Sequence, residues 1–274
     1  MQGAGKQKLS RIVILFSSIA FGVTWAIAFG IYWLYLNGKI SLNQLNFFHS
    51  FAAIGPTVAA FVCISLIYGK QGFVSFFAKF KLTIPNRQSI LLATSPLLFF
   101  LFGLVVFRVI KNDFYNFGEF SRLNWSEFKP FIIWLLPLLT YSIFEEIGWR
   151  GFLLPHFQSQ FNAFKSTILL TIIWALWHLP FFFYRFNFSV GIAIGFFFGI
   201  FVGSILLSSI YNSSKGMLIP VIIFHFLNNF CSEFDKEIIV AVLSVGFIFL
   251  ALYILKVFGK TNLSKSVRQK NFIK

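Results

Sequence analysis

Two adjacent carboxylates, Glu145 and Glu146, sit in a stretch that otherwise reads as membrane-embedded, from Phe131 to Leu154. At bilayer depth one ionised side chain costs about 3 kcal/mol on insertion scales and more than ~10 kcal/mol in simulations. A neighbouring pair is therefore a functional-site signal. Few other strongly polar side chains occupy comparable depth in the C-terminal half: Arg150, His178, His225, Asn228 and Asn229, with His156 just past the end of the stretch. Their spacing groups them. Glu146 and Arg150 are four residues apart and share a helix face, as an ion pair would. Glu145 is rotated by about 100° from Glu146 and is free to point elsewhere. His225 and Asn229 repeat the four-residue spacing on a second segment, and His178 stands on a third, two residues before Pro180, which disturbs the helix there. Three segments thus offer polar groups that lipid penalises unless they converge on a shared, wet cavity.

Glu, two His and Asn suit hydrolysis. A buried carboxylate can act as general base toward water, and a histidine beside it can orient that water or shuttle its proton. A second histidine and an amide can donate to the oxyanion of a tetrahedral intermediate, worth about 3–4 kcal/mol per donor. Ser142 precedes the glutamates by one turn, but GxSxG is missing and hydroxyls are common inside spans, so it is not read as a nucleophile.

The elements that position these groups must be membrane helices. The chain is 58% hydrophobic and only 11% charged, with 42 Phe in 274 residues, more apolar surface than a soluble core of that length hides. Apolar runs near the ~20 residues needed to span a bilayer occur at about 12–36, 46–69, 88–110, 131–154, 166–184, 189–211, 216–232 and 238–257. They lack strand alternation. The expected fold is all-α: one polytopic membrane domain over 1–274 with about eight transmembrane helices around an intramembrane polar cavity, a catalytic core at about 130–232, and a basic, loose cytoplasmic tail at 258–274. A basic helix at Gly72–Lys81 is expected to lie on the inner leaflet. Cys63 and Cys231 both fall within spans and say nothing of disulfides.

Charge orients the bundle. Lys6, Lys8, Arg11, Lys70, Lys79, Lys81, Arg87 and the tail cations fall on the side of both termini. Asp113, Glu119, Arg122, Glu127, Glu233, Asp235 and Glu237 fall on the other. The positive-inside rule makes both termini cytoplasmic, which places Glu145 in the inner half of its span and predicts a cavity open to the cytoplasmic leaflet. The net charge of +15 is this imprint plus attraction to anionic lipid, so membrane lipids are expected partners and nucleic acid is not. His49 and His156 fall near span ends and read as interfacial.

The run Glu145-EIGWRGFLLP, then Trp174-x-x-x-His178, then His225-x-x-x-Asn229, resembles the three-motif signature of the CPBP family. That family comprises the CAAX-prenyl endopeptidases and the bacterial bacteriocin-processing or immunity (Abi) proteins. The resemblance covers about residues 130–232, and the first 125 residues match no motif of the family. It departs at Trp174, where many members carry Phe. What it implies is an intramembrane endopeptidase acting on membrane-associated peptides or proteins. Glu145 would activate water with His178 as partner, His225 and Asn229 would form the oxyanion hole, and Glu146 with Arg150 would hold the first motif in shape. Family members are described both as metal-dependent and as glutamate-dependent. HExxH is absent, though Glu and two His on three spans could also ligate zinc, and a metal-free site is the expectation. The alternatives are a non-catalytic immunity or regulatory membrane protein of the same fold, and a transporter, against which no inverted repeat is found. Phe and Asn content fits an AT-rich bacterium, hence a bacterial cell membrane and small peptide precursors as substrates.

Overall fold

The computed structural model describes residues 2–81, 85–117, 128–186 and 189–273. Every element among them is helical: α1 (Gln2–Leu36), α2 (Leu42–Ala52), α3 (Ile54–Phe77), α4 (Arg87–Ala93), α5 (Ser95–Lys111), α6 (Phe128–Gly148), α7 (Leu154–Gln160), α8 (Ala163–Trp177), α9 (Val190–Ser213), α10 (Ile219–Cys231) and α11 (Ile238–Asn262). The all-α polytopic architecture is as expected. The polar residues at the breaks explain the boundaries. Ser41 and Gln44 form a reciprocal capping box at the start of α2, while Asn86 and Asn162 cap α4 and α8 by accepting from the backbone N–H of Ser89 and Lys165. Each satisfies a donor that the first helical turn leaves open.

The span count is lower than the eight read from hydropathy. Among the described residues six helical runs are long and apolar enough to cross a membrane, and a seventh, α4–α5, is bent by 46° at Thr94, just ahead of Pro96, whose missing N–H ends the preceding ladder. The eighth segment falls short: α10 has 13 residues, about 20 Å of helix against the roughly 30 Å of hydrocarbon. Apolar length in the chain exceeds helical length there because Gly216 and Pro220 delay the helix start.

The expected basic helix after span two is present as a continuation of α3. Gly69 breaks the ladder with φ of +56°, a conformation open to glycine at little cost. Beyond the break, Gly72 and Phe76 are buried while Val74 and Phe77 face outward, so one face packs on the bundle. Glu119, Arg122 and Glu127, used in the charge count, lie outside the described residues.

The tail is not loose. After α11 the chain reverses at Leu263, and Asn212 accepts from the Gln269 backbone N–H while donating to the Asn262 carbonyl. Phe272, 6% exposed, enters a ring cluster of Tyr68, Phe152 and His156. In the same cluster His156, 6% exposed, is packed inside the protein, with Nδ1 2.6 Å from the Phe152 carbonyl and Nε2 2.8 Å from the Tyr68 hydroxyl.

Candidate active site

The first motif begins on α6 and ends in a π-helical turn, Trp149–Leu153, that continues into α7. One extra residue per turn re-aims side chains, and such turns concentrate at functional sites. Arg150 lies inside it. Two glycines let neighbouring helices close on this segment: a Cβ on Gly148 would lie 2.4 Å from the Pro56 Cβ, and one on Gly151 would lie 3.0 Å from Phe76. Thr57 of α3 ties the two helices together by donating to the Phe144 carbonyl at 2.8 Å.

The two glutamates occupy different environments. Both are buried, at 1% exposure for Glu145 and 0% for Glu146. Glu146 Oε1 accepts from Arg150 Nη1 at 2.9 Å and lies 2.8 Å from His225 Nδ1. A carboxylate ion-paired to arginine only accepts, so the His225 proton on Nδ1 is the donor. Arg150 is also fully buried, reaching Ser204 Oγ at 3.4 Å, while its guanidinium carbon stacks 4.4 Å over the Trp174 ring. Among the described residues Glu145 forms no ion pair. Its Oε2 accepts from the Trp174 indole N–H, and among the described residues no donor reaches Oε1.

His178 caps the end of α8, where the chain tightens into the 3₁₀ turn Leu179–Phe183 around Pro180. Its Nδ1 lies 2.7 Å from the Trp174 carbonyl, which makes Nδ1–H the donor and leaves Nε2 unprotonated in the neutral ring. Asn229, half-buried on α10, points an amide N–H toward Ser142 Oγ at 3.5 Å. That hydroxyl donates to the Leu138 carbonyl at 2.6 Å, a structural use consistent with its not being read as a nucleophile.

One cavity of about 1090 Å³ is lined by Glu145, Trp174, His178, His225 and Asn229. Of the six candidates from the sequence, four therefore meet at this cavity, and Glu146 and Arg150 stand behind it. At its other end lie Asn43, Asn46, Arg185 and Glu233, which belong to the start of α2, the end of the α8 turn and the end of α10. The cavity follows the gap between α6, α9 and α11.

Sequence reasoning missed two features. Trp174, read as the aromatic that opens the second motif, also makes N–H and ring contacts that its spacing did not announce. His49, read as interfacial, is 5% exposed, with Nδ1 2.8 Å from the Tyr184 hydroxyl and Nε2 2.8 Å from the Tyr141 hydroxyl. The four-residue spacing of Tyr141 and Glu145 was the available signal for this second polar group on the cavity wall. As to metal, among the described residues no three His, Cys, Asp or Glu side chains come close enough together to hold an ion.

Residues 127–231 match the family model of the type II CAAX prenyl endopeptidase Rce1-like proteins. Over 162 residues the chain is 33% identical to the CAAX prenyl protease 2 of Methanococcus maripaludis, covering 54% of this chain and 59% of that protein. It is 24% identical over 198 residues to the lysostaphin resistance protein A of Staphylococcus haemolyticus, covering 72% of this chain and 52% of that protein. The chain thus spans less than two thirds of the length of either relative. The resemblance to the CPBP proteases read from the three motifs is borne out by the family model and the methanococcal relative.

Proposed function

We propose that this chain is an intramembrane endopeptidase that hydrolyses membrane-associated peptides or proteins with water activated by Glu145. The observation that carries the reading is the asymmetry of the glutamates: Glu146 is held by Arg150 and His225, whereas Glu145, without a cation, faces the cavity beside His178, His225 and Asn229.

A water between Glu145 Oε1 and His178 Nε2 gives its proton to the carboxylate while its oxygen bonds to the scissile carbonyl carbon. Negative charge then develops on the carbonyl oxygen. Asn229 donates to it from its amide. His225 already donates from Nδ1 to Glu146, so a donation from its Nε2 would require the imidazolium. Collapse of the intermediate breaks the C–N bond, and the proton on Glu145 passes to the leaving amine. Carboxylate and amine products leave, and the base is regenerated. Every step uses water and protein groups alone. The apolar wall, which includes Phe196, Phe224 and Phe247, suits a substrate delivered from the bilayer, and the name of the methanococcal relative, a CAAX prenyl protease, supports a prenylated protein substrate.

A non-catalytic resistance or immunity role is the second reading, favoured by the similarity to a lysostaphin resistance protein. One experiment separates the two. Purified chain in nanodiscs is incubated with membrane-associated peptides and products are read by mass spectrometry, with Glu145→Gln in parallel and with a strong chelator in a third arm. We expect cleavage that survives the chelator and falls by at least ~10³-fold in the variant, the scale lost with an essential base. Equal product from wild type and variant would refute catalysis by this site, and loss with chelator would show a metal-dependent reaction.

A further inference from the structure

Trp174 touches four polar groups of the site, Glu145, His178, Arg150 and His225. Its indole N–H donates to Glu145 Oε2, its backbone carbonyl accepts from His178 Nδ1 at 2.7 Å, and its ring lies 4.4 Å beneath the Arg150 guanidinium. The ring also meets His225 edge-on, with centroids 6.0 Å apart and planes at 72°. At 6% exposure it lies against the cavity wall. We infer that Trp174 is a positioning residue that aims Glu145 at substrate water through its indole N–H. This rests on the reading of Glu145 as the base.

The chemistry of the donor is the argument. Two adjacent buried carboxylates must be told apart, and the structure does so by giving them different partners. Glu146 receives a guanidinium and a histidine, charge-assisted contacts that consume it as an ion pair. Glu145 receives an indole, which is a donor only and carries no charge. A neutral donor fixes the carboxylate rotamer and occupies Oε2, yet leaves Oε1 open and the group free to take a proton. A cation in the same place would orient it equally well and hold it permanently ionised. Arg150 contributes at one remove, because stacking on the indole face holds the plane of the ring. The carbonyl of the same residue selects the His178 tautomer with Nε2 free. Base and partner histidine are thus aligned from a single point on α8.

Trp174→Phe removes the N–H and keeps the ring, the stacking and the carbonyl. Wild type, Trp174→Phe and Glu145→Gln are compared in nanodiscs on a peptide that the wild type cleaves. We expect Trp174→Phe to lower kcat by about tenfold or more with KM unchanged, as loss of one hydrogen bond to a charged group would, and to move the acid limb of the pH–rate profile to higher pH. Unchanged kcat and an unchanged profile would overturn the inference while leaving the protease reading intact, since Glu145→Gln tests that separately. A second measurement needs no activity. Among the seven Trp indole resonances of ¹⁵N-Trp-labelled chain, one should lie well downfield, vanish in Trp174→Phe and move upfield in Glu145→Gln. Should Trp174→Phe fail to fold, the Glu145→Gln shift alone decides, and seven indole resonances indifferent to Glu145→Gln would overturn the inference.

Discussion

Arg150→Met is the most demanding test of how the site is held together. Arg150 and Glu146 are both at 0% exposure, the pair is 2.9 Å apart, and Glu146 Oε2 finds no partner among the described residues. Removing the guanidinium leaves a buried carboxylate with His225 as its remaining donor. Breaking one half of a buried ion pair costs about 3–5 kcal/mol. Loss of the stacked guanidinium on Trp174 adds up to ~2 kcal/mol at a desolvated site. At about 2–4 °C per kcal/mol, Tm should fall by roughly 6–28 °C. Cys63 and Cys231 are both fully buried, so a thiol-reactive fluorogenic dye reads the unfolding transition without added labels. The double variant Arg150→Met/Glu146→Gln should recover half or more of the loss, because a neutral amide no longer needs the cation. A single variant within about 2 °C of wild type, equivalent to less than ~1 kcal/mol, would refute the view that the pair is the buried brace of the first motif. So would a double variant less stable than Arg150→Met alone.

Two further outcomes follow from packing. Gly148→Ala places a methyl 2.4 Å from Pro56 Cβ and 2.6 Å from its carbonyl oxygen. The helices must part, and a loss of about 1–3 kcal/mol should appear as a lower Tm in the same dye assay, while wild-type Tm would show that α3 and α6 are not in this close approach. Phe272→Ala vacates a slot between three rings, at an expected cost of up to ~3 kcal/mol, and should expose the chain after Gly259 to limited proteolysis. Equal cleavage of wild type and variant would mean that the tail is not docked.

What the sequence made legible was the chemistry with a strong energetic signature. Charged side chains in apolar runs are costly enough to stand out, and the four-residue spacings of Glu146 with Arg150 and His225 with Asn229 correctly put each pair on one helix face. The partnership across helices was different: Glu146 serves His225 as well as Arg150, a contact between residues 79 apart that no periodicity encodes. Trp174 was legible as the aromatic that opens the second motif, but its contact with Glu145 was not, because a single indole N–H has no counterpart in a count of charges. The tail escaped notice because Leu263, Phe272 and Ile273 are too few and too widely spaced to give a helical or strand pattern. The π turn at Trp149–Leu153 left no mark in the hydropathy pattern. Helix α10 was overcounted because hydropathy does not distinguish apolar residues that precede a helix from those within it.

The shortness of α10 has a consequence for the surrounding lipid. The helix that carries His225 and Asn229 is about 10 Å shorter than the hydrocarbon it adjoins, and Ile223 on its flank is 42% exposed. Acyl chains that meet this flank must compress to match it, at fractions of a kcal/mol per Å. Headgroups and their hydration are thereby drawn inward beside the residues proposed to bring water to a peptide bond. On this view the bilayer is indented beside α10, and a thicker membrane would resist that indentation, so bilayer thickness itself becomes a determinant of how readily the buried carboxylate is reached.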